Sequence, residues 1–385
     1  MQRSLRDRRD QRVVLGAAVG RYSLRILHVL NHTNRLNGHV HAAVDLACAQ
    51  VELGHQVAIC SGGGTFDALL AENGVETFII DQSRKPLTIV RATTALMKLI
   101  RRWRADVVHA HMMTSALLSL PGCRLSRVPL VTTVHNEFEK SAILMGVGNR
   151  VIAVSHAVGQ SMRKRGIPQS RLRVVLNGTI GVARLKKLDR TPQPLSSPAI
   201  VFVGGLHPRK GVSDLLDAFA IVRQRHPGVH LTVVGEGPHA AEYRAAAQPI
   251  ADAVTFVGPQ DNPRSYLLAA DIFVLPSHSD PAPLVISEAR EAGCAIVATA
   301  VDGIPELLNG GRSGILVPPR DPAALADAIS SLLADPGHLA TWRNNSQIEI
   351  EELTIGRVAA DTLRVYREIT RVRHSEPVGA AHQHY

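Results

Sequence analysis

Charged residues lie beside paired glycines in one segment of the second half of the chain, FVGGLHPRKG. An apolar run leads there into Gly204 and Gly205, and then into Arg209 and Lys210. Glycines allow the backbone to approach a ligand closely, and a helix N-terminus with an adjacent cation binds anions. The pattern therefore suits a phosphate site, although on its own it is equally typical of a strand-to-helix turn with two solvated cations.

A second segment, DPAPLVISEA, places two carboxylates eight residues apart. Asp280 comes before the prolines and is predicted to lie in a loop, whereas Glu288 is predicted to lie on the helix that follows. Pro283 suits the first turn of that helix because no amide hydrogen is required there. The free amides near Leu284 and Val285 then suit a phosphate. Glu288 is placed to accept hydrogen bonds from two ribose hydroxyls, unless it is simply a solvated helix residue.

The elements that must position these segments alternate regularly along the chain. Short apolar runs, most of them continuous, predict parallel strands covered on both faces, and helical patterns lie between them. Two such series in succession predict an α/β protein with two doubly wound, Rossmann-like domains that face a central cleft. The thirteen candidate strands are residues 24–30, 56–60, 77–80, 106–109, 130–134, 151–154, 173–176, 199–203, 229–234, 254–257, 272–275, 295–299 and 315–317.

Composition divides the chain into two large domains and several smaller segments. A stretch rich in Lys, Pro and Ser has the composition of a linker, and the Arg-rich start is interpreted as a flexible basic extension or a misassigned start. The predicted divisions are an extension at 1–22, a first domain at 23–180, a linker at 181–198, a second domain at 199–355, a helix returning to the first domain at 356–373, and a disordered tail at 374–385.

The net charge of +10 is distributed unevenly. Residues 1–185 hold 25 Lys and Arg against 11 Asp and Glu, whereas the remaining residues hold 18 against 22. The excess of +14 on the first half predicts a polyanionic partner, and an anionic membrane surface is favoured. Nucleic acid is disfavoured because aromatic residues, at 4%, are too sparse for stacking platforms. The alternative is an ordinary soluble basic surface.

Two basic segments concentrate this charge. Residues 91–104 interleave arginines with Leu96, Ile100 and Trp103, and residues 163–165 form the cluster RKR. In the first segment the apolar face is expected to pack on the sheet with its arginines solvated, whereas the second segment is expected to be freer to face lipid. No apolar stretch reaches the roughly 18 residues of a membrane span. Together with four scattered cysteines, this predicts a cytoplasmic protein that is peripheral on the inner face of the membrane.

The series of motifs resembles the large family of retaining GT-B glycosyltransferases numbered family four, or group 1. That family has V-G-R-L-x-x-x-K-G, E-x7-E, G-G-x-P-E and G-x-L-V-P-P motifs, which match the segments above and VDGIPELL and GGRSGILVPP after them. In the first half, DVVHAH ends at His111, VTTVHN contains His135, and VIAVSH contains Ser155. The ordered match covers roughly residues 24–335. Each motif is weak alone, but the series in this order is specific.

The resemblance implies a site for a nucleotide-sugar donor and another for a glycan or lipid-linked acceptor. Lys210 would neutralise the donor diphosphate, Asp280 would face the transferred sugar, and His111 would lie at that sugar as a third catalytic residue. A lone histidine at a strand end is otherwise more often a packed structural residue. The implied donor-binding residues are Gly38, Gly204, Gly205, Arg209, Lys210, Pro283, Leu284, Val285 and Glu288, with Asn31, His135 and Ser155 in acceptor-side or cleft loops.

Three departures from the family pattern bear on catalysis. The arginine beside the phosphates is Gly205 here, the first glutamate is Asp280, and the glycine pair of the first domain is Asn37 and Gly38. Arg209 is a candidate for the missing positive charge. The chain also lacks a D-x-D pair and any Cys/His motif with ligand spacing, so neither a metal nor another cofactor is expected.

The resemblance implies transfer with retention of configuration, by attack on the face from which the diphosphate departs. Two alternatives remain open from the sequence. One is a nucleotide-sugar 2-epimerase of the same architecture, which would need neither an acceptor nor a basic surface. The other is a non-catalytic nucleotide-sugar-binding protein, which Gly205 and Asp280 would suit.

Overall fold

The computed structural model describes residues 23–35 and 37–370. The predicted extension at 1–22 and the tail at 374–385 lie outside the described residues, as does the end of the predicted C-terminal helix from residue 371. No helix within the described ranges has the length and apolar character needed to cross a membrane.

The first domain is a seven-stranded, fully parallel sheet in the order β3-β2-β1-β4-β5-β6-β7. Its core strands are buried on both faces, which explains their continuous apolar runs. The strands are β1 (Arg25–Val29), β2 (Gln56–Ser61), β3 (Glu76–Ile79), β4 (Val107–Ala110), β5 (Leu130–Val134), β6 (Arg150–Ala153) and β7 (Leu172–Val174). The helices are α1 (Gly38–Glu52), α2 (Asp67–Glu72), α3 (Pro86–Arg102), α4 (Met113–Ser126) and α5 (His156–Lys164), with a 3-10 segment at Lys140–Val147.

The second domain is a six-stranded parallel sheet in the order β10-β9-β8-β11-β12-β13. Its strands are β8 (Ala199–Val203), β9 (His230–Val234), β10 (Val254–Gly258), β11 (Ile272–Leu275), β12 (Ala295–Thr299) and β13 (Ile315–Val317). A short helix, α6 (Ala183–Lys186), precedes the domain. The later helices are α7 (Val212–Arg225), α8 (Ala240–Ala246), α9 (Arg264–Ala269), α10 (Leu284–Ala292), α11 (Ile304–Leu307), α12 (Pro322–Ala334), α13 (Pro336–Asn345) and α14 (Ile355–Arg367).

The α/β fold with two doubly wound sheets is thus confirmed, and all thirteen candidate strands are present. The predicted apolar stripe of α7 is buried as well, with Val212, Leu215, Phe219 and Val222 fully inaccessible to solvent. In the first sheet β1 lies in the interior of the strand order, and in the second sheet β8 does. In each sheet the strand order reverses beside that strand. In open α/β sheets this reversal creates a crevice at the carboxyl ends of the strands, where ligands bind.

The chain passes between the domains twice, and the two passages lie side by side. The amide of Ile180 donates to the carbonyl of Leu353 at 3.1 Å, and the amide of Ile355 donates to the carbonyl of Ile180 at 2.9 Å. Gly178 fits here because a Cβ atom at its position would lie 2.3 Å from the carbonyl oxygen of Leu353. The backbone of one passage is therefore in direct contact with the other.

The segment predicted as a linker, 181–198, contacts both domains: its first part packs against the first domain, and the amide of Gln193 donates to the carbonyl oxygen of Ser265 in the second domain at 3.0 Å. It contains α6, whose Arg184 forms an ion pair with Asp45 of α1 at 2.8 Å. Lys187 pairs with Glu72 at the end of α2 at 2.7 Å. At the other end of the chain, α14 crosses back to the first domain, where it packs on α1 and buries Tyr366 completely. The first domain thus includes residues from both sides of the second.

The contact between the two passages predicts that alanine substitutions at Gly178 and at Gly356 have different effects on the stability of the protein. We expect Gly178→Ala to destabilise the protein by about 1–3 kcal/mol, because the new methyl group must displace backbone atoms. Gly356→Ala is the matched control, since nothing lies within 4 Å of the corresponding Cβ position and the residue is in a helix. Thermal unfolding measures both variants. An unchanged Tm for Gly178→Ala would show that the passages are not held together as described.

Candidate functional site

Lys210 and Asp280 form a shielded ion pair at the carboxyl ends of the second sheet. Lys210 ends a 3-10 turn before α7, and its ammonium nitrogen donates to Asp280 Oδ2 at 2.5 Å. The side chains are only 12% and 8% exposed. The backbone amide of Asp280 donates in turn to Asp302 Oδ2 at 2.7 Å, which fixes the loop that carries it. The two residues predicted to be catalytic in this domain are therefore brought together.

Gly211 makes this turn possible. It has φ +67°, and a Cβ atom there would lie 2.0 Å from the carbonyl oxygen of Pro276. Only glycine combines that left-handed conformation with so close an approach of backbone to backbone. The turn consequently docks directly on the end of β11, where the loop to Asp280 begins.

Arg209 points away from Lys210. Its guanidinium carbon lies 5.3 Å from the ring centroid of Phe138 in the first domain. Its carbonyl oxygen accepts a hydrogen bond from the amide of His278 at 2.7 Å. The two adjacent cations therefore serve different surfaces: Lys210 faces Asp280, and Arg209 stacks across the cleft.

The glycine pair after β8 has two distinct roles. The carbonyl oxygen of Gly204 lies 2.0 Å from the Cβ position of Gly235, so these backbones are in contact. A Cβ atom at Gly205 would meet only the side chain of His207, at 3.3 Å, and a distant carbonyl oxygen. Space therefore remains at Gly205, the position where the family pattern has an arginine.

Helix α10 begins shortly after Asp280 in the same loop. Pro283 is the N-cap of this helix, one residue earlier than the sequence indicated, because its ψ of 121° is extended rather than helical. Leu284 and Val285 follow as the first two helical residues, and their amides precede the first intrahelical donor, Ile286. These amides and the helix dipole suit an anion.

Glu288 lies one turn further along and is held by a residue that the sequence did not single out. Arg184 donates to Glu288 Oε1 at 2.7 Å and to Asp45 Oδ2 at 2.8 Å. All three side chains are nearly buried. Burial raises the pKa of Asp45 to about 6, although the neighbouring Arg184 acts in the opposite direction. The cluster joins α10, the chain passage and α1. No motif signal marked Arg184 or Asp45, since the two residues are 139 positions apart and Arg184 reaches Glu288 only through the docking of the two domains.

The first-domain side of the cleft begins with the loop from Asn31 to Gly38. Gly38 is the first residue of α1, and nothing lies within 4 Å of its Cβ position, so a ligand has room to approach. Asn31 accepts a hydrogen bond from Ser115 Oγ at 3.2 Å, which ties this loop to α4. A 15-residue helix thus presents its N-terminal amides at this position.

His111 is fully engaged by other histidines. Its Nε2 lies 2.9 Å from His28 Nδ1, and its Nδ1 lies 3.1 Å from His135 Nε2. Its ring is buried, and burial lowers its pKa well below the usual value. Both ring nitrogens are therefore occupied within the protein, and His111 lines the same cavity as His135. The catalytic role predicted for His111 remains a prediction.

Three histidines gather closely enough to hold a metal ion, which the sequence analysis did not anticipate. Nitrogens of His28, His109 and His111 all lie within 4.8 Å of one another. The sequence showed only the pair on β4, because His28 comes from β1 and joins them through the pairing of the two strands. Each ring nitrogen of the three already has a hydrogen-bonding partner in the protein. Metal binding would have to break that network.

A cavity of about 150 Å³ opens beside these histidines in the first domain. His135 and Thr133 line it at the end of β5, and Arg84, Glu139 and Ser141 supply further polar groups.

Ser155, the third predicted cleft residue, caps α5. Its Oγ accepts a hydrogen bond from the amide of Val158 at 3.2 Å. The carboxylate of Glu306, from the second domain, accepts hydrogen bonds from the amides of His156 at 2.8 Å and Ala157 at 3.0 Å. The N-terminus of α5 is therefore occupied by a protein carboxylate, and Ser155 acts here as a local cap.

Two family models match the chain, one in each domain. Residues 36–179 match the model described as Glycosyltransferase Family 4, and residues 197–335 match the model described as Glycosyl transferases group 1. Between them they cover most of both sheets. The order of the two matches agrees with the order of the motifs along the chain.

Curated relatives and solved structures agree with these matches. A glycogen synthase of Mycobacterium tuberculosis is 33% identical over 273 residues, which span 64% of this chain and 65% of that protein. A phosphatidyl-myo-inositol mannosyltransferase of Mycobacterium leprae is 27% identical, spanning 70% of this chain and 76% of that protein. A glycosyltransferase structure from Rickettsia africae has a TM-score of 0.77 at 20% identity, covering 90% of this chain and 98% of its own. Anabaena HepE, in complex with UDP and glucose, has a TM-score of 0.73 at 20% identity, with coverages of 89% and 99%. The chain has the GT-B fold and belongs to the group 1, family 4 glycosyltransferases.

Proposed function

We propose that this protein transfers a sugar from a nucleotide-diphosphate-sugar donor to a glycan or lipid-linked acceptor, with retention of anomeric configuration. The observation that carries the proposal is the shielded ion pair between the Lys210 ammonium and the Asp280 carboxylate, in a loop that reaches the N-cap of α10 three residues later. A buried cation beside free helix amides is suited to a diphosphate. Family membership supports the reaction type, and HepE, a structural neighbour, binds UDP and glucose.

Lys210 and the amides of Leu284 and Val285 would stabilise the charge that develops on the leaving diphosphate. An ammonium group has three donors, and Asp280 uses one of them. The remaining donors are then available for phosphate oxygens without rebuilding the site. Such preorganised donors contribute most when water is excluded, and the low exposure of both side chains favours that.

Retention would follow from attack on the face that the diphosphate leaves. Asp280 Oδ2 accepts from Lys210 and is 3.4 Å from Ser277 Oγ. A carboxylate so strongly hydrogen-bonded is a poor nucleophile, which disfavours a double displacement through Asp280. An oxygen of the departing phosphate would instead accept the proton of the incoming hydroxyl.

Glu288 would bind the nucleotide ribose. Its Oε1 accepts from Arg184, whereas no described residue hydrogen-bonds with its Oε2. Arg184 therefore fixes the rotamer of Glu288 and leaves one oxygen for ribose hydroxyls. Arg184 belongs to the first passage between the domains, so the proposed nucleotide site is in direct contact with that passage.

Removing the Lys210 ammonium tests the proposed site. We expect Lys210→Ala to reduce kcat by about 10²–10³-fold, the cost of one preorganised electrostatic contact. Lys187→Ala is the matched control, because Lys187 is exposed and pairs only with Glu72. The assay uses labelled nucleotide sugars and separates transfer or slow hydrolysis from epimerisation and from binding without turnover. Near-normal turnover by folded Lys210→Ala would place the active site elsewhere, and epimerised donor would favour the 2-epimerase.

We also propose that turnover requires no divalent metal. The charge that a metal would supply is assigned here to Lys210 and to the amides at the N-terminus of α10. Dialysis against a chelator is therefore expected to change the transfer rate by no more than about twofold. Loss of a catalytic metal would slow transfer far more, because such a metal contributes several kcal/mol of transition-state stabilisation. Activity that disappears with chelator and returns with Mg²⁺ or Mn²⁺ would contradict this proposal.

Membrane docking through the first domain is a separate proposal. The apolar face of α3 is buried, with Leu96 at 0%, Ile100 at 1% and Trp103 at 6% exposure. This agrees with the expectation that it packs on the sheet. Arg165 donates to the carbonyl oxygens of Glu137 and Glu139, so it is not free to face lipid as expected.

The exposed basic and apolar groups lie elsewhere on the same domain. Arg163 and Lys164 are exposed at the end of α5. At the start of α3, Leu87 and Val90 are 60% and 63% exposed beside several basic residues. We name this the α3 entry patch: Arg84, Lys85, Leu87, Ile89, Val90 and Arg91. Its charge and exposed apolar groups suit an anionic leaflet.

Co-sedimentation with vesicles tests the docking proposal. Binding to phosphatidylserine-containing vesicles is expected to rise with anionic lipid and to fall with salt. The double variants Leu87→Ser/Val90→Ser and Arg163→Ser/Lys164→Ser should each weaken it, by about 1 kcal/mol per basic residue removed in the second case. Arg225→Ser/Arg312→Ser removes the same charge from the second domain and should have little effect. No binding to anionic vesicles at low salt would favour a soluble acceptor.

A further inference from the structure

A second cavity of the first domain lies at the edge of the sheet opposite the cleft. Its volume is about 670 Å³, which is within the range of small-molecule sites. It is lined by residues that begin or immediately precede the neighbouring strands β4, β5, β6 and β7, namely Asp106, Leu130, Asn149 and Arg171. The cavity therefore extends along the amino ends of four parallel strands. The proposed transfer site follows the carboxyl ends of strands, so the two sites are separate.

Three arginines converge on this cavity from two distant parts of the chain. Arg124 lies in the last turn of α4, and Arg127 caps the same helix with a left-handed φ of 53°. Arg171 precedes β7, and its guanidinium donates to the carbonyl oxygen of Gly146 at 3.0 Å. All three arginines line the cavity and are exposed. We name this recess, lined by Arg124, Arg127 and Arg171, the basic cavity.

The charge of the basic cavity is not balanced within the described chain. Its one carboxylate among the described residues belongs to Asp106, whose Oδ2 accepts a hydrogen bond from the amide of Arg25 at 2.9 Å. At the same edge of the sheet, Arg150 and Arg173 are both paired with Glu368. The three arginines of the basic cavity, by contrast, form no ion pair with a described residue. Three guanidinium groups against one carboxylate leave an excess of positive charge at the recess.

Neutral hydrogen-bond donors of the basic cavity also lack acceptors. The Ser126 hydroxyl is buried and has no hydrogen-bond partner among the described residues, although Ser126 lines the cavity. Asn149 accepts a hydrogen bond from the amide of Leu130 at 2.9 Å through Oδ1, and no described residue accepts from its Nδ2. A buried donor without an acceptor is costly. Cations and unpaired donors in one recess indicate a ligand that carries several acceptor oxygens.

A simpler explanation accounts for only part of this arrangement. Cations are favoured at a helix C-terminus by the helix dipole alone, which explains Arg124 and Arg127 at the end of α4. It does not explain Arg171, which comes from the loop before β7 and is held at the cavity by Gly146. The cavity also has an apolar side, formed by Leu120, Val147 and Ile369. The ligand must therefore match both a basic and an apolar part of a concave site.

We propose that the basic cavity binds a soluble phosphate monoester, with the phosphate on its three arginines and the carbon skeleton against Leu120, Val147 and Ile369. A phosphate monoester carries close to two negative charges at neutral pH, and planar guanidinium groups bind phosphate with two parallel hydrogen bonds. Arg171 uses one of its five donors on Gly146, so further donors remain for the phosphate. This inference goes beyond the proposed sugar transfer and does not depend on it.

Titration of ¹⁵N-arginine-labelled protein with phenyl phosphate tests the ligand class at the site itself. The guanidinium Nε–H resonances of Arg124, Arg127 and Arg171, assigned from single Arg→Lys variants, should shift and saturate with a Kd on the order of 1 mM or lower. Phenol, which lacks the phosphate, should leave them unchanged, and inorganic phosphate, which lacks the skeleton, should bind more weakly. Unshifted resonances at several times that concentration of phenyl phosphate would overturn the proposal.

Paired charge-removing variants separate this site from a general effect of the basic surface. Arg124→Gln/Arg171→Gln should weaken phenyl phosphate binding at least tenfold, because charge-assisted hydrogen bonds to the phosphate are lost. Arg101→Gln/Arg102→Gln removes the same charge from exposed positions of α3 that do not line the cavity, and it should leave binding unchanged. Equal weakening by both double variants would contradict a built site. A response of the cavity arginines to phosphatidic acid vesicles but not to phenyl phosphate would also overturn the proposal, in favour of a lipid surface.

Discussion

The contact between the two chain passages is the constraint on which the arrangement of the site depends. Residues 178–180 and 353–355 pair through backbone hydrogen bonds, with Gly178 against the carbonyl of Leu353. Each passage joins a parallel sheet whose functional loops follow the carboxyl ends of its strands. Joining the passages fixes how those two edges face each other. It also directs α14 to the first domain, where its Tyr366 completes the core of that domain.

The charged residues of the cleft are arranged around this junction in buried pairs. Lys210 is neutralised by Asp280, and Arg184 is shared between Glu288 and Asp45. Breaking a buried pair by removing one partner leaves an uncompensated charge, which is strongly destabilising. The Lys210 ammonium and the Glu288 carboxylate are therefore held in place by partners within the protein. Because Arg184 pairs with Asp45 of the first domain and with Glu288 of the second, the position of the Glu288 carboxylate depends on how the two domains are docked.

In the interior of the first domain, by contrast, the buried polar side chains are uncharged rather than paired as ions. Its histidines are connected to one another and to Gln50 and Tyr366 rather than to carboxylates. Without a counter-charge, burial favours the neutral imidazole. A neutral network can still be directional, since each ring has one donor and one acceptor. Gln50 and Tyr366 join the two groups of histidines, and both groups end at the cavity that His135 and Thr133 line.

The sequence by itself determined the fold, because continuous apolar runs and helical stripes such as that of α7 report local burial that parallel sheets require. It also predicted a candidate site in the second domain, since Lys210, Asp280 and the start of α10 follow their strands within short loops, and the structure brings Lys210 and Asp280 together. Only the tertiary structure decided which partners these residues have. Gln50 and Tyr366 are 316 positions apart, and Arg184 and Glu288 are 104 apart. Such contacts have no local periodicity or motif. They form only when strand pairing brings His28 beside His111 and the docking of the domains brings Arg184 to Glu288, so their roles could not be deduced from spacing along the chain.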